Sequence, residues 1–331
     1  MSRSDPHPAD ARRALAGVWQ EPGIAPYLAR VERRLLETVA SHPGLVGAIA
    51  TDAIAAGGKR LRPALVYLAS SPGRDPSVAA GAAVELLHLG TLIHDDAIDR
   101  APLRRGRPTA WSVHGRHAAV ATGDYLLGRA AAEVAELRDP YLVRAFTDAA
   151  LLLVRGESMQ RGQTHDATTS IAAYLRRCEL KTGRLFELAT VLARGVGDDL
   201  GRFGSALGTL YQIVDDIRDC QPKPGDGKAS GSDLRCGVPT LPLLLAARSD
   251  AVVRHALAGG TAEGAIERVG ESGALDHALQ IARLYAERAR GALDGRSVRP
   301  ALRVLPTVLL ELAATDSMDG AASSRAVVAA S

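Results

Sequence analysis

Six aspartates in two identically spaced groups offer the chemistry on which this sequence turns. Asp95, Asp96 and Asp99 lie in L-I-H-D-D-A-I-D, and Asp215, Asp216 and Asp219 in Y-Q-I-V-D-D-I-R-D. On an α-helix, residues four apart sit about 40° from each other and adjacent ones about 100°, so the outer aspartates of each group share a face. A single D-D-x-x-D is ordinarily a solvated helix face. Two copies, each following an apolar run, are carboxylates at the end of buried stretches, and these must be compensated. If the two combs face one cavity, carboxylates about 5 Å apart repel by roughly 3 kcal/mol per pair at an effective dielectric near 20, which calls for cations between them. All-oxygen ligands without a nearby thiolate favour Mg²⁺.

The basic residues add a second signal. Of 40 Lys plus Arg, only Lys59, Lys181, Lys223 and Lys228 are lysine. In a chain that so prefers arginine, each lysine suits a compact ammonium meeting a phosphate as a point charge. Lys59 lies in G-G-K-R-L-R-P, where glycines let backbone approach a ligand and cations meet phosphate, yet the spacing differs from a nucleotide-binding P-loop. Arg104-Arg105-Gly106 is a weaker signal of the same kind. Lys181-Thr182-Gly183 interrupts a helical pattern, as either a ligand approach or a simple kink would. His88 follows Glu85 in an E-x-x-H spacing. A di-iron bundle would need a second such pair, which the sequence lacks, leaving His88 a satisfied core histidine or a phosphate donor two turns before Asp95.

The elements that must position these residues read as helices. The periodicity predicts an amphipathic helix over 27–39, a short one over 64–70, a long buried one over 78–98, then helices over 118–137, 141–163, 171–195 and 201–220, with shorter ones over 240–247, 252–258, 275–293 and 300–313. Residues 104–108 and 221–235 read as loops, the latter able to fold over whatever the combs hold. No strand alternation or internal repeat is evident, so the fold class is all-α. The expected organisation is a flexible arm over 1–10, one domain over 11–314 and a disordered tail over 315–331.

At 331 residues, 47% hydrophobic and with a net charge of +3, the chain can bury one large core and shows no nucleic-acid footprint. Cys178, Cys220 and Cys236 lack metal-ligand spacing and fit free thiols. With no signal-peptide pattern and no apolar stretch of spanning length, the expected location is cytoplasmic.

Taken together these stretches resemble the trans-isoprenyl diphosphate synthase (polyprenyl synthetase) family. The motifs are G-G-K-R-L-R-P at 57–63, L-I-H-D-D-A-I-D at 92–99, R-R-G-R-P-T at 104–109, G-D-Y-L-L at 123–127, K-T-G at 181–183, Y-Q-I-V-D-D-I-R-D at 211–219 and G-K-A-S-G-S-D-L-R at 227–235. The resemblance implies an all-α isoprenoid synthase type I bundle around a central cavity, a homodimer, and a prenyltransferase joining isopentenyl diphosphate head-to-tail to an allylic prenyl diphosphate. It assigns Asp95, Asp96, Asp99, Asp215, Asp216 and Asp219 to Mg²⁺, three ions per site. It assigns Lys59, Arg62, His88 and Arg105 to isopentenyl diphosphate, and Arg104, Lys181, Thr182, Gln212 and Lys228 to the allylic diphosphate, Arg104 and Lys181 among the catalytic set. Where the family usually has lysine after Gly237, this chain has Val238.

Two rival readings fit less well. A class I terpene cyclase guides its carbocation with aromatic faces, but this chain is only 4% aromatic and its second motif is again D-D-x-x-D. A non-catalytic partner subunit would lack a comb, and both are complete. On the family reading the product tail runs from Asp95 back along the preceding helix, so Thr91, Gly90 and, one turn deeper, Leu87 form the first floor of its pocket. None is a bulky aromatic. The expected product is C30 or longer, with C20 as the alternative if a facing helix closes the pocket.

Overall fold

The computed structural model describes residues 17–104, 106–195, 200–221 and 231–313. The arm at 1–10, the tail at 315–331, Arg105, Lys223 and Lys228 lie outside the described residues.

The described chain is helical apart from one two-residue strand pair. Helices α1 (Ile24–Ala40), α2 (Leu45–Ala55) and α3 (Leu61–Ala69) precede the long central helix α4 (Val78–Asp99). Strands β1 (Leu103–Arg104) and β2 (Arg107–Pro108) pair antiparallel, with Leu103 opposite Pro108. Next come α5 (Ala110–Ala135), α6 (Pro140–Gln163), α7 (Ile171–Cys178), a π-helical turn (Glu179–Gly183), α8 (Arg184–Arg194) and α9 (Leu200–Asp219). Short helices α10 (Ser232–Arg235), α11 (Leu241–Ala247), α12 (Ala251–Leu257) and α13 (Ala265–Glu271) lead to α14 (Ala274–Gly291) and a final helix over 300–313.

Helix α4 forms the spine. Its N-terminus is capped by Ser77, whose hydroxyl accepts from the Ala80 amide at 3.1 Å. It is buried almost to its end by α5, α1 and α3, and it stops where Arg100 turns left-handed at φ 51°. Helix α9, the second carrier of aspartates, packs between α8 and α14. No helix among the described residues is long and apolar enough to cross a membrane.

Three departures from the sequence expectations have physical reasons. The single helix expected over 171–195 is divided by the π turn at Glu179–Gly183, an insertion frequently found at functional sites. Arg104, Arg107 and Pro108, from the stretch 104–108 expected as a loop, join Leu103 in the strand pair, with Gly106 at φ 76° between the strands. Helix α2 was not anticipated because L-V-G-A-I-A-T-D-A-I-A is apolar nearly all round and shows little amphipathic period.

Candidate active site

Both combs sit at helix C-termini, where the backbone carbonyls add partial negative charge to the carboxylates. That placement deepens the demand for cations. The close approach of α6, the π turn and α9 brings the first partners in. At Gly156 of α6 an added Cβ would lie 2.7 Å from the Lys181 amide nitrogen, and at Gly208 of α9 one would lie 2.9 Å from Gly183 Cα. Only hydrogen fits at these contacts, so glycine lets α6 and α9 pinch the π turn and aim Lys181 at the end of α4.

In the first comb each aspartate meets a different cation. Lys181 Nζ stands 3.5 Å from Asp95 Oδ2 and donates to Glu157 on α6. Arg161, also on α6, donates to Asp99 and, through Nε at 3.1 Å, to Glu157 Oε1. Asp96 faces away from these two and accepts from Arg104 Nε at 2.9 Å with both oxygens. The helical spacing thus holds: Asp95 and Asp99 face α6 and the π turn, while Asp96 points toward the strand pair.

In the second comb, Asp216 and Asp219 accept from neutral donors among the described residues. Tyr174 Oη donates to Asp216 Oδ2 at 2.6 Å, and Gln212 Nε2 donates to Asp216 Oδ1 at 2.7 Å. Thr182 of the π turn in turn donates to Gln212 Oε1 at 2.8 Å. Asp219 accepts from the Ser232 amide and hydroxyl at 3.2 and 2.7 Å, and from the Asp233 amide at 3.0 Å, tying the start of α10 to the end of α9. Asp215 is exposed.

Burial raises several of these carboxyls. Desolvation lifts Asp95 to about 6 against the opposing pull of Lys181, and lifts Asp216 to about 7 although Tyr174 and Gln212 hydrogen bonds act to lower it. Asp96 is also raised by burial, with Arg104 opposing.

Two cavities flank the combs. The larger, about 880 Å³, is lined by Lys59, Arg62, His88, Arg104, Asp96 and Asp215 among others. The smaller, about 190 Å³, is lined by Lys181, Thr182, Gln212, Asp216 and Val238 together with Gln160, Arg177 and Asp233 among others. The expectation that both combs face one cavity is met in a modified form: one aspartate from each, Asp96 and Asp215, lines the large cavity, whereas the outer pair Asp95 and Asp99 does not. Arg104, grouped from sequence with Lys181, lines the large cavity with Lys59 and Arg62. Val238 stands at the small cavity where a lysine would have added a cation.

The loop leading to the large cavity is built on Arg60. It adopts φ 45°, and its guanidinium donates to Glu32 at 2.8 Å, Glu85 at 2.9 Å and the Ile54 carbonyl at 2.7 Å. Arg60 is therefore a brace that leaves Lys59 exposed and sends Arg62 inward, its guanidinium 5.4 Å from the Phe186 ring centroid. Glu85 is engaged by Arg60, which takes it out of an E-x-x-H metal pair with His88.

The three residues expected as a pocket floor stand on α4 outside the two cavities described. Gly90 faces α5, where a Cβ would come 3.1 Å from the Gly123 carbonyl oxygen; Leu87 is fully buried; and Thr91 donates to the His88 carbonyl at 2.8 Å. None of the three lines either cavity. The small size of Gly90, which from sequence reads as open space, is taken up by a tight helix crossing.

Sequence reasoning missed Glu157, Arg161, Tyr174 and the bracing role of Arg60. Glu157 and Arg161 stand four apart on one helix, a spacing that signals a pair but not where it points. Nothing local marks Tyr174, whose partner is 42 residues away.

Residues 44–269 match the polyprenyl synthetase family. Over 290 residues the chain is 35% identical to an all-trans-nonaprenyl-diphosphate synthase (geranyl-diphosphate specific) of Rhodobacter capsulatus, covering 82% of this chain and 89% of that one. Among solved structures, it is similar to a decaprenyl diphosphate synthase from Rhodobacter capsulatus, with TM-score 0.81, 28% identity and coverage of 91% and 99% of the two chains. It is also similar to a polyprenyl synthase from Caulobacter crescentus CB15 complexed with calcium and isoprenyl diphosphate, with TM-score 0.78, 31% identity and coverage of 95% and 99%.

Proposed function

This chain belongs to the polyprenyl synthetase family and is a prenyltransferase, and we propose that it condenses isopentenyl diphosphate head-to-tail with an allylic diphosphate, in a Mg²⁺-dependent reaction, to an all-trans product of C30 or longer. The observation that carries this reading is the pair of cavities flanking two carboxylate combs, one with Lys59, Arg62 and His88 and the other with Lys181, Thr182 and Gln212. Two polyanions need two cationic cradles, and the acids between them suit a cation bridge.

The donor set fits Mg²⁺. All six comb side chains offer carboxylate oxygens, and burial lifts Asp95 and Asp216 in spite of the opposing Lys181 charge at Asp95 and the hydrogen bonds at Asp216. No group of three or more acidic, histidine or cysteine side chains among the described residues is placed to hold a metal ion on its own. Mg²⁺ is usually held by one or two carboxylates plus substrate phosphate, which the comb carboxylates could supply. When bound, the metal would stabilise the negative charge that develops on the allylic leaving group.

The side chains supply the rest. Lys181, Thr182 and Gln212 at the small cavity, with Lys228 from outside the described residues and with Arg104, which lines the large cavity and donates to Asp96, hold the allylic diphosphate and offset its charge as the C–O bond ionises. Lys59, Arg62 and His88, joined by Arg105, hold isopentenyl diphosphate so that its double bond reaches the allylic carbocation, and this orientation lowers the barrier. The C–C bond forms, a proton leaves the adjacent carbon, and the departing diphosphate accepts it, so no protein base is required. The long-chain names of the relatives support the C30 length. Exposed Val113 and Val120 on α5 and Tyr141, Leu151 and Val154 on α6 support a homodimer, to be tested by sedimentation.

Incubation of the purified protein with Mg²⁺, isopentenyl diphosphate and a C15 allylic primer, followed by sizing of the products, tests the reading. The expected outcome is an all-trans ladder ending at C30 or beyond. A product stopping at C20 would overturn the length, a cyclic hydrocarbon would mean a terpene cyclase, and no product without an added subunit would mean a partner chain. Thr91→Phe, on the half-exposed side of α4, should shorten the ladder.

A further inference from the structure

Arg161 has no part in the scheme above, yet it occupies the first comb. It stands one turn after Glu157 on α6, and its guanidinium donates both to Asp99 and to Glu157. Glu157 also accepts from Lys181, which faces Asp95. One carboxylate thus ties two cations, each turned to one of the two aspartates that share a face of α4. The ends of the arrangement differ in exposure: Glu157 is 16% exposed and stays inside, whereas Arg161 and Asp99 are 38% and 45% exposed. A guanidinium at that rim can leave its partner without unpacking a helix.

We propose that Arg161 is the resident counter-ion of the first comb: it holds Asp99 in the substrate-free protein and must give up that carboxylate before a divalent cation binds there. The inference rests on the metal reading of the combs. A guanidinium and a divalent cation on the same carboxylate repel each other, so cation binding to the free protein has to displace Arg161. A diphosphate arriving beside the comb gives the released guanidinium a bidentate acceptor, which offsets that cost. Cation and diphosphate therefore favour each other's binding, and by linkage the effect is the same in both directions. Arg161 acts as a positioning residue for cation loading.

Electron paramagnetic resonance of free Mn²⁺ titrated into the full chain tests this. It is run without and with farnesyl thiolodiphosphate, an unreactive allylic analogue, and corrected for Mn²⁺ held by the analogue alone. Wild type is expected to bind Mn²⁺ weakly by itself and more tightly with the analogue. Arg161→Gln should bind Mn²⁺ alone roughly five- to twentyfold more tightly, and the gain from the analogue should shrink by a similar factor. Arg161→Lys, which keeps the charge but not the planar fork, should fall between. Arg155→Gln removes an equal charge from an exposed position about 9 Å away along the same helix and should change neither affinity. Wild-type affinity in Arg161→Gln, or equal tightening in Arg155→Gln, would overturn the inference while leaving the metal reading intact. No Mn²⁺ bound by wild type in either condition would sink both.

Discussion

The two combs have the same spacing and the same place at a helix C-terminus, and the fold treats them differently. The first is met by long, partly exposed cations, Lys181, Arg161 and Arg104, while the described hydrogen-bond partners of Asp216 and Asp219 in the second are a phenol, an amide, a hydroxyl and backbone N–H groups. Partners of the first kind can move to an arriving anion. Those of the second kind are short or fixed to backbone and hold their carboxylates in one geometry. The difference points to a division of labour, with the cations of the first comb able to exchange partners on substrate binding and Asp216 and Asp219 of the second held as a pre-set wall.

The largest effect should come from removing either comb. Asp95→Ala and Asp215→Ala are each expected to lower turnover by roughly 10²- to 10³-fold with the helical circular dichroism signal retained, as loss of a charge-stabilising group does. Unchanged turnover in one of them at saturating Mg²⁺ would show that only the other comb works.

The clamps on the two sides should separate in steady-state kinetics. Lys59→Ala should raise the Michaelis constant for isopentenyl diphosphate, and Lys181→Ala that for the allylic substrate, each by roughly ten- to a hundredfold, the weight of a charged hydrogen bond. An effect of Lys59→Ala on the allylic constant alone would reverse the assignment of the cavities.

The rigid second comb should show itself in stability. Asp216 is raised from the ordinary 3.8 to about 7, so between those values the folded state binds a proton that the unfolded state has lost. Cation-free protein should therefore lose stability as pH rises from about 4 to about 7. Asp216→Asn should flatten that decline in thermal melts recorded with chelator. A decline equally steep in the variant would place the cost on another group.

The smallest effect is expected at Val238. Val238→Lys adds a cation beside Lys181 and Gln212 at the small cavity, so allylic affinity should be unchanged or improve by a few-fold. A large loss would mean that the cavity is built around the valine.

The residues themselves determined a good deal. Apolar runs at helical period made the all-α class legible, and two D-D-x-x-D groups with scarce lysines pointed to cations and phosphates, because these are local patterns set by backbone geometry and charge. What each group meets was decided by the tertiary structure. Gly90 reads as open space, yet the crossing of α4 and α5 fills it. Lys181 reads as a helix interruption, and only the π turn between α6 and α9 shows that it points at Asp95. Arg161 shows locally only its pairing with Glu157 one turn earlier, and Tyr174 carries no local mark; Asp99 and Asp216, which they meet, lie 62 and 42 residues away, and a charge or hydroxyl on a helix face does not say which acid the fold will bring to it.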